Sequence, residues 1–187
     1  MKIEIISGSA RPQSLTKRVA LHLHDRLSKE PHIDAGLIPM DEHHLPYVDR
    51  VWNHAEEAPS THSHIARRVF DAHGFILVTP EYNGSYSPAL KNFLDHFARQ
   101  ERKVFGIVSA SPGSLGGIRA AVQLQHLVFA IAGIGVPRML VVSDVEKKFN
   151  GQGALLDNRF DSAVSAFTEE FLWITQALHG NSVAQMA

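Results

Sequence analysis

Three short stretches hold the residues with chemistry to offer, and each reads as a turn. The first is Ser7-Gly8-Ser9-Ala10-Arg11-Pro12-Gln13-Ser14-Leu15-Thr16. Hydroxyls at positions 9, 14 and 16 flank one arginine, and an amphipathic pattern of helical period begins beside them. Amides at a helix N-terminus point outward, the helix dipole places partial positive charge there, and Arg11 adds a full charge. Such a turn can hold an anion, and hydroxyls with one arginine suit a phosphate monoester bound without metal. Standing alone, it would read more readily as a serine-rich helix cap. The second stretch, Pro80-Glu81-Tyr82-Asn83-Gly84-Ser85, combines a carboxylate with an aromatic ring. The third, Ala110-Ser111-Pro112-Gly113-Ser114-Leu115-Gly116-Gly117, is rich in glycine and serine.

Other phosphate motifs fit poorly. There is no GxxxxGK[ST], which disfavours a nucleoside triphosphatase. Gly8 is one glycine where a dinucleotide fingerprint needs three. Glu81 is a single acid after its strand, where a response regulator would need a cluster.

The elements that position these turns follow from periodicity. Lys2–Ser7 is a near-continuous apolar run, as in a strand buried on both faces of a parallel sheet. Ser14 caps a helix whose stripe is Leu15, Val19, Leu23 and Leu27. Residues 33–38 form a weaker strand, and residues 39–61 a long polar connection bearing Tyr47 and Trp52. Those two aromatics suggest loop packing or a partner contact, with a substrate lid as the alternative. A short helix spans about 62–72. Gly74–Thr79 is the clearest strand. Ser87-Pro88 opens the next helix, serine as cap and proline in its first turn, with Leu90, Phe93, Leu94 and Phe97 as its stripe. A fourth strand covers 104–109, a helix 118 to about 132, a fifth strand 138–142, and a last helix carries Phe160, Val164, Phe167, Phe171 and Ile174. Strand–helix alternation repeated five times predicts one α/β domain over 1–187, a three-layer doubly wound five-stranded parallel sheet in the order 2-1-3-4-5. The three turns follow strands 1, 3 and 4, neighbours in that order, and should meet at the switch point.

Composition bounds the partners. Among 187 residues, 44% are hydrophobic and the net charge is −1, so a basic face for nucleic acid or an anionic membrane is not expected. With no cysteine, disulfides, thiolate catalysis and Cys-based metal sites are excluded, and the cytoplasm is the expected compartment. No apolar run is long enough for a membrane span. The twelve histidines lack metal-site spacing and read as solvated surface residues, with no metal expected. On the helix after Gly117 the polar residues Arg119, Gln123 and His126 share one narrow stripe, which implies either deep burial in its own domain or packing against another subunit.

Together, GSARPQSLT, TPEYNGSYSPALKNFLDH and SPGSLGGIRA resemble the NADPH-dependent FMN reductase family, the flavodoxin-like group of chromate and quinone reductases and azoreductases. The likeness runs from strand 1 to about Ala132, and more loosely over the last helix. It implies an NAD(P)H-dependent FMN oxidoreductase passing hydride from NADPH, or NADH, through FMN to a small acceptor: a quinone, azo compound, free flavin or oxidised metal. It implies that Ser9, Arg11, Ser14 and Thr16, with the amide of Leu15, hold the FMN phosphate. Pro80, Glu81, Tyr82 and Asn83 would wrap the isoalloxazine ring, with Ser111 and Gly113 approaching from the strand 4 side. FMN carries the chemistry in this reading, so no catalytic side chain is expected. A homodimer or homotetramer is implied. Thr16 stands where many members have asparagine, Ser87-Pro88-Ala89 replaces a common Pro-Gly pair, and His96 replaces a usual tryptophan. Glu81 reads as a flavin contact or an interface salt bridge. Arg119 reads as an interface or loop residue, with NADPH as its other partner. Lys91, Asn92 and Asp95 read as structural polar contacts. Two further hypotheses are a flavodoxin-type electron carrier without its own NAD(P)H activity, which an acidic docking face would favour, and a flavin-free scaffold.

Overall fold

In the computed structural model, which describes residues 1–184, the strands form one parallel sheet. β1 (Lys2–Ser7), β2 (Asp34–Pro39), β3 (Gly74–Thr79) and β4 (Val104–Ala110) lie in the order 2-1-3-4. The fifth lane is made of two pieces, β5 (Ile134–Gly135) and β6 (Leu140–Val142), both paired with β4. The 2-1-3-4-5 order is thus the one expected, but the last strand differs from the continuous 138–142 run. Phe105 pairs with Gly135 and Val108 with Leu140, so residues 136–139 face only Gly106 and Ile107. Pro137, which has no amide hydrogen, and Arg138 are exposed in this bulge.

The helices α1 (Leu15–Leu27), α2 (Ser63–Asp71), α3 (Pro88–Asp95), α4 (Ile118–Ala130), α5 (Val145–Lys148) and α6 (Asp161–Ala184) cover both faces. Alternation along the strands divides the core into two layers. Phe75, Leu77, Phe105 and Ile107 pack with α2, α3 and α4. Ile3, Ile5, Ile76, Val78, Val104 and Val108 pack with α1 and α6. β3 and β4 are buried along their whole length, which is why they read as unbroken apolar runs. Gly106 lets α6 approach closely: a Cβ there would come within 2.8 Å of the Phe167 ring.

β1 is not wholly apolar. Glu4 is buried, and its carboxylate accepts from Arg68 of α2, Nε to Oε1 at 2.9 Å. Arg68 also donates to the Leu37 carbonyl at 2.9 Å, tying α2 across β1 to β2. Trp52 takes the packing role, one of the readings its loop allowed. It is 3% exposed, hydrogen-bonded through its backbone to His96 and Ala98, with its ring edge-on to Phe97. Tyr47 is the aromatic left in solvent, at 93% exposure.

Removing Arg68 leaves the Glu4 carboxylate buried without its partner. Arg68→Ala should lower stability by about 2–3 kcal/mol in urea unfolding, with part recovered when Glu4→Gln is added.

Candidate functional site

The first turn begins where β1 stops. Ser9 is buried and its Oγ accepts from the Arg11 amide at 3.3 Å. Ser14 is the N-cap of α1, its Oγ accepting from the Thr16 amide at 3.2 Å. Gln13 takes a left-handed conformation, φ 56°, that turns the chain into the helix. Three cations stand near this helix start, and their partners separate them. Burial alone would lower the Lys17 ammonium, but Glu42 and Asp41 hold it above the ordinary lysine value. Arg18 donates to the Phe149 carbonyl at 3.1 Å. Arg11 has no ion-pair partner among the described residues and is exposed toward the cleft.

The second turn, after β3, is a tight hairpin. Tyr82 N–H donates to Ser85 O at 2.9 Å and Ser85 N–H returns to Tyr82 O at 3.1 Å. Asn83 and Gly84 occupy its centre with φ 53° and 85°, the two positive values that a type I′ turn requires. This presents the Tyr82 ring, over which the Arg11 guanidinium carbon lies 4.6 Å from the centroid. The first two turns therefore touch across the cleft through a cation–π contact.

Glu81 points elsewhere with its carboxylate. Arg119 Nε donates to Oε1 at 2.8 Å, and the Arg119 amide donates to Oε2 at 3.2 Å. α4 starts from Gly117, which has no side chain to cap it, so Glu81 supplies the anion its N-terminus needs. The Glu81 carboxylate thus makes a salt bridge within the chain, not across an interface, while the residue itself lines the cleft. Arg119, of the several partners it could have had, is tied to the loop after β3.

The third turn places Ser111 on the cleft. Gly113 stands exposed outside the lining, its amide donating to Ser111 Oγ at 2.9 Å. One open cleft of about 870 Å³ joins the three turns at the carboxyl end of the sheet. Ser9, Arg11, Ser14, Leu15, Thr16, Pro80, Glu81, Tyr82, Asn83 and Ser111 line it. So do Pro12, Gln13, Pro88, Ala110 and Pro112, which the motifs did not single out. Pro88 and Ala110 could have been found as the neighbours of a helix cap and a strand end.

Outside the cleft, Asn92 fixes the loop after β2: its Oδ1 accepts from Val48 N at 3.2 Å and its Nδ2 donates to Pro46 O at 2.9 Å. Lys91 pairs with Asp95 one turn on. The histidines divide. His32, His44, His54, His64 and His126 are exposed, as expected. His96 is not: it is 1% exposed, donates from Nδ1 to Asn92 O at 2.8 Å and packs on Trp52. His22 is half-buried against Phe149 and bonded to Gly153 O. Among the described residues no group of three His, Asp or Glu side chains could hold a metal, and no helix is long and apolar enough to cross a membrane.

A doubly wound parallel sheet of order 2-1-3-4-5, with a cleft at its switch point between a helix start and an aromatic hairpin, defines a flavodoxin-like α/β protein. The family model for NADPH-dependent FMN reductase matches residues 1–147, and the chain belongs to that family. It is an oxidoreductase, and the cofactors of its family are FMN and NADPH. The chain is 31% identical over 181 residues to an FMN-dependent NADPH-azoreductase of Staphylococcus aureus, covering 92% of this chain and 94% of that one. Its fold is shared with FerB, a flavoenzyme NAD(P)H:(acceptor) oxidoreductase of Paracoccus denitrificans (TM-score 0.77, 21% identity, 95% and 98% coverage). It is also shared with an NADH:FMN oxidoreductase, EMOB, in its apo form (TM-score 0.67, 18% identity, 95% and 89% coverage).

Because Arg119 is 65% exposed and the Glu81 carboxylate 12%, the two partners are not equivalent. Arg119→Ala should change stability by under about 0.5 kcal/mol, while Glu81→Ala, which also uncaps α4, should remove about 1 kcal/mol; urea titration of both variants checks this.

Proposed function

We propose that this protein takes hydride from NADPH onto FMN held in the cleft and delivers it to a small aromatic acceptor, an azo compound or a quinone. The observation that carries this reading is the meeting of an unpaired Arg11, the α1 N-terminus and the Tyr82 hairpin around one cleft. The donor set fits the group: helix amides, hydroxyls and the Arg11 guanidinium, which has no ion-pair partner among the described residues, suit a phosphate monoester, and an aromatic hairpin suits a flat ring. FMN, when bound, supplies the hydride chemistry.

The chain's own residues then do the holding. Ser9, Arg11, Ser14 and Thr16, with the Leu15 amide, take the phosphate. Pro80, Tyr82 and Asn83 border the ring, Glu81 braces their turn against α4, and Ser111 with Gly113 closes the β4 side. No side chain serves as a general acid or base, and the Asn83 and Gly84 amides, which take no part in the hairpin's own cross-turn bonds, would stabilise negative charge on the ring's polar edge. The azo compound or quinone is preferred among acceptors because the azoreductase relative matches the chain nearly end to end. A cytoplasmic location goes with this reading, since NADPH would be the reductant and the chain has no cysteine.

The protein works as a homodimer through α4. Val122 and Phe129, 41% and 74% exposed, fall seven residues apart on one side of the helix, and Leu115, 66% exposed, stands in the turn just before it. The polar residues Arg119, Gln123 and His126 are exposed as well, so deep burial of α4 in its own core is not what the chain does.

Three measurements test the reading. Purified protein should bind FMN and oxidise NADPH with an azo dye or a quinone and no partner protein; an absorption spectrum without flavin after FMN addition would overturn it. Arg11→Ala should raise the FMN dissociation constant by about tenfold or more, as expected for a lost charge-assisted contact, and leave riboflavin binding nearly unchanged. Phe129→Asp should convert a dimer to a monomer in size-exclusion chromatography with light scattering.

A further inference from the structure

Ser87 belongs to neither the phosphate turn nor the ring turn, and it is fully buried between them. It caps α3, its Oγ accepting from the Leu90 amide at 3.1 Å. The same hydroxyl donates to the Gly8 carbonyl, at the root of the phosphate turn. The Ser87 amide donates to Thr79 Oγ1 at 3.2 Å, and Thr79 Oγ1 donates to the Pro80 carbonyl at 2.8 Å, at the root of the ring turn. Thr79 is also fully buried. One unbroken chain of hydrogen bonds therefore runs from Gly8 through Ser87 and Thr79 to Pro80.

Gly8 is wedged where this chain begins. Its amide donates to the Val78 carbonyl at 2.8 Å, and a Cβ on it would come within 3.0 Å of that oxygen and 3.1 Å of Leu90 Cβ. Contact with β3 on one side and with α3 on the other gives the turn little freedom to shift. Hydroxyls are needed at both relay positions because each must donate once and accept once. Alanine or valine leaves a carbonyl and an amide unpaired in a dry interior.

We infer that Ser87 and Thr79 are positioning residues that set the spacing between the two halves of the FMN site. The inference rests on the proposed FMN function and deepens it. A ligand that spans both turns gains from their being held at a fixed separation; a ligand that touches one does not. The relay therefore acts on FMN and not on riboflavin, which has the same ring and ribityl chain without the phosphate. Neither side chain lines the cleft.

The experiment measures FMN and riboflavin dissociation constants by flavin fluorescence quenching on the full chain, for wild type, Ser87→Ala, Thr79→Val and the double variant. Each single variant should lose about tenfold of the preference for FMN over riboflavin, with riboflavin affinity changed by less than about twofold. Because both substitutions cut the same relay, the double variant should lose no more than either alone. Thr79→Val keeps the side-chain shape and guards against a Ser87→Ala protein that folds poorly. Equal losses for FMN and riboflavin, or additive losses in the double variant, overturn the inference and leave the FMN reading intact. A folded wild type that binds neither ligand overturns that reading and the inference with it.

Discussion

Parallel pairing of β1 with β3 is the constraint on which the cleft depends. Ser7 pairs with Val78, so both strands end at the same level and their following turns leave the sheet side by side. Gly8 N–H to Val78 O carries the ladder one residue past the strand end. In a parallel sheet this adjacency is a product of the crossover: the chain travels through α1, β2 and α2 before returning beside its own start. Local sequence sets each turn's shape, but only the sheet register sets their separation.

The charge arrangement follows the same division. The acids and bases nearest the cleft are mostly spent on structure: Lys17 on Asp41 and Glu42, Glu81 on Arg119 and the α4 amide. Arg11 is the cation left over, and it rests on Tyr82 instead of on a carboxylate. A guanidinium on an aromatic face keeps its charge and gives up little to take a phosphate; one already paired with a carboxylate would have to break that pair first. On the function proposed here, selectivity for an anion at this end of the cleft would come from which neighbours are already satisfied, more than from the number of basic residues.

Features fixed by adjacent residues were legible in the sequence. Ser14 and the Ser87-Pro88 pair mark helix starts because a cap is a contact over two or three positions. The three turns were legible as one site because strand order follows from strand–helix alternation. What needed distant partners was not legible. Trp52 looks exposed in a polar loop, and its burial depends on Phe97 and His96, which come from the end of α3. Glu81 and Arg119 were each noticed, but their pairing depends on how far α4 lies from the hairpin. The two-piece fifth lane is a matter of register: Pro137 hints at an interruption, but the extra residues show only against β4. Ser87 looks like a cap and nothing more until the Gly8 carbonyl is found above it.

α4 connects the inner and outer parts of the molecule. Its first turn is capped by the carboxylate of the ring hairpin, and its outer side carries the exposed apolar residues Val122 and Phe129. A helix of this length behaves as a rigid rod, so a shift at one end is felt at the other. Anything that covered Phe129 would press on the same element that Glu81 holds. The position of the ring turn is therefore set from two directions, by the Ser87–Thr79 relay on the α3 side and by Glu81 on the α4 side. The hairpin between them needs no long side chain of its own to stay in place. That is why Asn83 and Gly84 can adopt left-handed backbone at its tip while Tyr82 stays aimed at the cleft.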